Sequence, residues 1–188
     1  MTGASLEIEA LDALPAADFQ AAVAPLFEGA PRFLARLAAA RPFGSVERLF
    51  ARAREIAHAM PEPDQIELID AHPRLGAPPG SVSALSFVEQ GYDRETADAA
   101  AEVERTRVAD TLDSLNRTYE AQFGFRYCVF VAGRPRASLI GELEASLGRD
   151  RRDELRRALD AVVDIAMDRH AKLVGAAPAG VAAVEGRA

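Results

Sequence analysis

The sequence predicts an all-α, single-domain helical bundle with a short buried extended segment after a long central helix. Three observations carry that expectation. Alanine and leucine outnumber the β-branched and aromatic residues, which favours helix over strand. Apolar side chains recur at i, i+3, i+4 and i+7 through most of the chain. One run, Phe125 to Val131, is almost wholly apolar and follows no helical period. With 188 residues, 49% hydrophobic and 27% charged, the chain can bury one sizeable core.

Residues 1–10 read as a polar leader without the charged n-region and apolar run of a signal peptide. Pro15 to Glu28 carries Phe19, Val23, Leu26 and Phe27 at helical spacing, with Pro25 expected to bend or restart it. Pro31 to Ala40 forms a second helix, broken by Arg41-Pro42-Phe43-Gly44. Ser45 is a good N-cap for the clearest helix, whose stripe is Val46, Leu49, Phe50, Ala53, Ile56, Ala57 and Met60. Pro61 and Pro63 stop it, and His58 falls off the stripe toward solvent. Asp64 is expected to cap a shorter helix, Gln65 to Asp70, which ends at His72-Pro73, because the residue before a proline is pushed out of the α region.

Beyond the loop Gly76 to Ser81, Ser86 and Glu89 have the spacing of a capping box. A break near Gly91 to Asp93 precedes the long central helix, with Val108, Leu112, Leu115, Tyr119 and Phe123 on its stripe and Gly124 as its stop. Asn116 is a polar neighbour of that stripe. The run Phe125 to Val131 is either a buried extended strip, a two-stranded β element or the start of a helix. Ser138 to Leu147 is a short helix, and Asp150 caps the last one. That helix repeats Leu155, Leu159, Val162, Ala166 and Leu173, with Arg169 inside the apolar ladder and His170 one residue round, toward solvent. Residues 175–188, an Ala-Gly-Pro mixture, read as a flexible tail, so the domain spans 11–174.

Charge and motif content narrow the function. A net charge of −7 disfavours a broad nucleic-acid face, and no apolar stretch has the length of a membrane span. The single cysteine, Cys128, excludes an intramolecular disulfide and a cysteine-cluster zinc site, which fits a reducing, cytoplasmic setting. There is no zinc-binding HExxH, no phosphate-cradling glycine loop and no G-x-S-x-G elbow. What remains is His72 at a helix exit, a carboxylate (Glu89), an amide (Gln90), an arginine in an apolar seam and a buried strip of backbone. That set can move a proton and stabilise an enolate. Each member also has a bland reading: His72-Pro73 as an ordinary helix exit, Ser86 and Glu89 as a cap, Arg169 as a snorkelling cation.

The combination is more specific than its parts. His72-Pro73-x-Leu75-Gly76, Ser86-x-x-Glu89-Gln90, Asn116-x-x-Tyr119-x-x-x-Phe123-Gly124-Phe125 and Ile165-Ala166-x-x-Arg169 occur in that order, downstream of Arg41-Pro42-Phe43. From about Leu11 to Val174 the chain resembles the 2-oxo-4-hydroxy-4-carboxy-5-ureidoimidazoline (OHCU) decarboxylase family of the urate-to-allantoin route. The resemblance implies an all-helical, cofactor-free, homodimeric enzyme acting on a small molecule, OHCU, and yielding (S)-allantoin.

Residue by residue, it implies His72 as the acid–base catalyst, Glu89 as the catalytic carboxylate and Arg169 as the essential arginine. It implies substrate contacts from Pro73, from Ser86, Phe87, Val88, Glu89 and Gln90, and from the backbone of Tyr127, Cys128, Val129, Phe130 and Val131. In this scheme Arg169 and the strip amides hold the ring, and Glu89 orients His72 or holds the ureido group. Two departures stand out. Arg126 replaces the proline of the family's Phe-Gly-Phe-Pro, exchanging a restrained bend for a flexible cation, and the loop between Gly76 and Ser86 is short. Two alternatives follow: a paralogous lyase acting on another ureide or oxo-acid, and a non-catalytic helical module with no cavity joining His72, Glu89 and Arg169.

Overall fold

The computed structural model describes residues 6–95 and 99–175. Among them are nine α-helices and no strand. Helix α1 (Ile8–Ala13) starts inside the segment expected to be a leader, because Ile8 and Leu11 are buried against the core. Helix α2 (Ala16–Val23) passes at Pro25 into a 3-10 turn, Ala24–Phe27, as the proline requires. Glu28 ends that turn with φ +50°, in the left-handed region.

Helices α3 (Pro31–Ala39) and α4 (Val46–Ala59) follow the expected bounds closely, and the Ser45 hydroxyl accepts from the Arg48 amide at 3.2 Å. Between them the Arg41–Pro42 peptide is cis. Helix α5 (Glu62–Asp70) begins earlier than Asp64 suggested, because Pro63 is tolerated in a first turn whose amides have no intrahelical acceptor. Asp64 does not cap it but pairs with Arg36 at 2.5 Å.

The expected capping box is also overturned. Helix α6 (Ala84–Glu89) is capped by Ser83, whose hydroxyl accepts from the Ser86 amide at 3.2 Å. Ser86 and Glu89 are thereby released for other partners. Helix α7 (Ala99–Phe123) is the long central helix, and Gly124, with φ +80°, ends it. Residues 126–131 then run in neither helix nor strand and are mostly buried, which of the sequence's three readings leaves the buried strip. A 3-10 turn, Arg136–Leu139, leads into α8 (Ile140–Ser146).

Helix α9 (Arg151–Gly175) closes the fold and packs on α4, α5 and the 3-10 turn 24–27. Asp150 caps it through the Arg152 amide at 2.8 Å. Arg54 of α4 ties to Asp160 and Asp164 of α9, each at 2.6 Å, and His58 joins Asp160 at 2.9 Å. His170 is buried, against expectation: its ring stands edge-on to Phe50 and its Nε2 bonds the Leu6 carbonyl at 3.0 Å. The remainder of the expected tail, 176–188, lies outside the described residues.

Candidate active site

Helix α5 ends at Asp70, and Pro73, three residues later, forces the chain outward. His72 is thus set where its ring can leave the helix. Its Nδ1 lies 3.2 Å from the Leu68 carbonyl, an acceptor only, so Nδ1 carries the proton and Nε2 is bare. That Nε2 is buried and has no hydrogen-bond partner among the described residues. Burial first, and then the Arg169 charge, lower the imidazole pKa to about 4, so the ring is neutral at pH 7.

The loop after His72 is held by one face of α7. Leu112, Asn116 and Glu120, spaced i, i+4 and i+8, share that face. Glu120 takes the Arg74 Nε at 2.6 Å, and Asn116 donates to the Leu75 carbonyl at 2.9 Å. Gly76, with φ +79°, packs so closely on Leu112 that a Cβ would meet Cδ1 at 2.8 Å, so glycine is required there for shape and for space. The Gln90 side chain completes the clamp by accepting the Gly76 amide at 2.7 Å.

Opposite His72 stands a buried ionic centre. Arg169 donates from Nε to Glu89 Oε1 (2.6 Å), from Nη1 to the carbonyls of Pro25 (2.9 Å) and Leu26 (3.4 Å), and from Nη2 to Glu89 Oε2 and Glu28 Oε1 (2.8 Å each). These contacts occupy every N–H of the guanidinium. The donors of Arg169 are thus turned to Glu89, Glu28 and two carbonyls, and none is left over for the direct grip on a substrate expected from the sequence. The Ser86 hydroxyl donates to Glu28 Oε1 at 2.8 Å and lies 3.0 Å from Arg169 Nη2. Glu28 also accepts from Ser83. Burial raises the Glu28 pKa, but Arg169 and the two serines outweigh it and hold the carboxyl below its ordinary value.

Glu28 escaped sequence reasoning because its partners lie far along the chain. One signal pointed to it: an arginine in an apolar seam demands an anion, and Glu28 is an acid set against the apolar Leu26-Phe27. Glu89 makes no hydrogen bond to His72. The imidazole is oriented by the Leu68 carbonyl instead.

The third wall is the strip from Tyr127 to Val131. None of its amides donates to an acceptor among the described residues. Its rear is fixed, with Arg157 Nη1 donating to the Cys128 carbonyl at 2.9 Å. Burial pushes the Cys128 thiol up to about 12, so it stays protonated and is no nucleophile.

His72, Pro73, Ser86, Val88, Glu89, Gln90, the strip and Arg169 surround one cavity of about 260 Å³, with Arg94, Asp168 and Lys172 also lining it. The cavity joining His72, Glu89 and Arg169 is the feature a non-catalytic module would lack. Phe87 is a correction: it does not line the cavity, because it turns to the far side of α6 and packs on Tyr92 with centroids 5.4 Å apart. Arg126 is a second correction. It is no free cation at the pocket mouth, since its backbone and guanidinium bond to Asp70 and His72.

Comparison with known proteins agrees with this geometry. The family model for OHCU decarboxylase matches residues 12–171. The 2-oxo-4-hydroxy-4-carboxy-5-ureidoimidazoline decarboxylase of Haloferax volcanii is 27% identical over 163 residues, covering 86% of this chain and 92% of that protein. The uric acid degradation bifunctional protein of Bacillus sp. strain TB-90 is 24% identical over 87% of this chain, which spans only 31% of that longer protein. The crystal structure of an OHCU decarboxylase in the presence of (S)-allantoin superposes with a TM-score of 0.60 at 24% identity, over 78% of this chain and 93% of that one, and so shares the fold. With a family match that extends over nearly the whole described fold, the chain belongs to the OHCU decarboxylase family.

Proposed function

We propose that this protein decarboxylates OHCU to (S)-allantoin in urate degradation, acting as a cytoplasmic homodimer without a cofactor. The observation that carries the reading is the cavity itself, where a neutral, unpartnered imidazole nitrogen faces a strip of unpaired amides and an arginine-anchored carboxylate.

The chemistry follows from the substrate's bonds. Carbon 4 of OHCU bears a hydroxyl and the carboxylate, and the neighbouring carbon 5 is doubly bonded to a ring nitrogen. When the bond to CO₂ breaks, its electron pair forms a C4–C5 double bond and the C5–N π pair moves to nitrogen. Negative charge thereby shifts from the carboxylate into the ring, where donors held in place beforehand lower the barrier. The amides of Tyr127 to Val131 are those donors.

His72 enters as a base. Its bare Nε2 takes the proton of the 4-hydroxyl as the C4 carbonyl forms, and the resulting imidazolium returns that proton to carbon 5, while the ring nitrogen that received the C5–N pair takes one proton from water to complete neutral allantoin. Delivery from one face sets the (S) centre. Glu89, fixed by Arg169, receives N–H donors of the ureido group, and Pro73 and Val88 shape the cavity around the ring. Arg126, one of the two departures from the family pattern noted above, bonds the end of α5 and does not line the cavity, so it lends no support to a paralogous lyase.

Freshly generated OHCU, followed by polarimetry, tests the proposal. The protein should accelerate the appearance of optically active (S)-allantoin, and His72→Asn should reduce this to spontaneous racemic decay with an unchanged circular dichroism spectrum. Wild-type stereospecific turnover by His72→Asn would refute the assignment. Chelation with EDTA should leave the rate unchanged, and light scattering of the purified protein should give twice the chain mass.

A further inference from the structure

Arg126 joins the two halves of the site. Its backbone amide donates to Asp70 Oδ1 at 2.8 Å, and its Nη1 donates to the carbonyls of Asp70 (2.6 Å) and His72 (3.0 Å). The first carbonyl belongs to the last residue of α5 and the second lies two residues past it, where helical partners run out and a guanidinium is a suitable donor. Residue 126 also immediately precedes Tyr127, where the amide strip begins. One residue therefore bonds the backbone of His72 and leads directly into the strip. A proline at 126 could supply neither the amide nor the guanidinium.

We propose that Arg126 is a positioning residue for the decarboxylation, setting the separation between the His72 imidazole and the strip amides by clamping the end of α5 to the start of the strip. The inference rests on the decarboxylase reading for its kinetic consequences, and its structural content can be read without turnover. Releasing the clamp frees the His72 backbone while leaving its ring and the whole cavity lining chemically intact.

The test compares Arg126→Met with Arg126→Lys. The methionine fills the same space without donors, and the lysine ammonium can still reach a carbonyl. In Arg126→Met, kcat should fall ~10- to 100-fold, the scale for a catalytic group displaced by up to an ångström, with KM nearly unchanged. The enantiomeric purity of the allantoin should fall as well, because an unanchored ring delivers its proton less selectively. Arg126→Lys should recover part of both. In the ligand-free protein the His72 ring protons, followed by NMR against pH, should titrate above the wild-type position of about 4, because a loosened loop admits water to the ring beside Arg169 and Glu28.

Unchanged kcat and enantiomeric purity in a folded Arg126→Met protein would overturn the proposal. So would a loss confined to KM, or a kcat loss that lysine fails to relieve while the ring titration stays in place. Failure of the wild type to accelerate OHCU decay would instead overturn the functional reading. In that event the ring titration alone decides whether Arg126 fixes His72.

Discussion

Helix α9 carries two arginines twelve residues apart, Arg169 fully buried and Arg157 half-buried, and the difference between their surroundings separates support from chemistry. Arg157 donates to the carboxylate of Glu154, which is fully buried and also takes the Tyr119 hydroxyl at 2.8 Å and Arg149 at 3.2 Å. There, two guanidinium groups surround one carboxylate, and the cluster faces the rear of the strip. Arg169 has the reverse balance, with one guanidinium between Glu28 and Glu89. A buried guanidinium is costly without an anion, so both sites needed acids. Only the second has one to spare, and Glu89 carries that surplus negative charge to the cavity wall. The Arg157 cluster holds the strip from behind, and the Arg169 cluster presents a carboxylate in front of it.

The sharpest way to break this contrast is Arg169→Met. It removes the buried cation from between two half-buried carboxylates, so unfolding should become easier by ~3 kcal/mol, the low end for breaking a buried ion pair, and activity should vanish because Glu89 loses its anchor. Denaturant titration and the polarimetric assay report the two effects separately. A stable, active Arg169→Met protein would mean that the two arginines do the same job.

The His72 side of the site gives the next largest effect. Between pH 6.5 and about 4 the unfolded chain binds a proton at this histidine that the folded protein refuses. The folded state is therefore fully stable above that window and weakens as pH falls through it, by a total of order 3 kcal/mol. Glu28, held below its ordinary 4.5, adds its loss only at lower pH still. His72→Asn should flatten the stability profile between pH 4 and 6.5 and leave the acid limb below it. Since the neutral ring is the form with a free Nε2, kcat/KM of the wild type should stay level through pH 6 and decline only near 4. A limb at 6.5 would show that water reaches the ring.

Arg157→Met should cost less, about 2 kcal/mol, because Glu154 keeps Arg149 and Tyr119 when the half-buried guanidinium and its bonds to Glu154 and Cys128 are lost. Its kinetic mark should be a severalfold rise in KM, with kcat largely kept, as the strip loses the anchor on the Cys128 carbonyl. A kcat loss equal to that of Arg169→Met would erase the distinction between rear support and front chemistry.

Sequence periodicity revealed most of the helices, since each apolar stripe reports its own burial locally. It revealed less of the site, where partners are remote. Ser86 and Glu89 satisfied a local capping rule, yet Ser83 won the cap and released both for Arg169, some eighty residues on. Glu28 is 141 residues from Arg169, and no local rule couples them. Arg169 itself was legible, because an arginine in an apolar ladder needs an anion, but its saturation by protein groups was not. Phe87 leaves the cavity because a contiguous motif on a helix is not a contiguous surface: successive residues point about 100° apart.

The smallest effect belongs to the rim. Inside the cavity the carboxylates outnumber the guanidinium, so the free substrate's own carboxylate gains nothing from the buried charges on entry. At the mouth the two cations are equally exposed, but Lys172 is paired with Asp168 at 2.5 Å whereas Arg94 lies 3.8 Å from Asp93. Arg94 is thus the cation with most freedom to meet an incoming anion. Arg94→Ala should lower kcat/KM only ~2- to 5-fold at low ionic strength, and the difference should close as salt screens the exposed charge. Neither kcat nor the enantiomeric purity should change, because Arg94 acts before the chemistry begins. If the loss persists undiminished in high salt, Arg94 contacts the bound substrate directly, and the line between a steering rim and a reactive interior must be redrawn to include it.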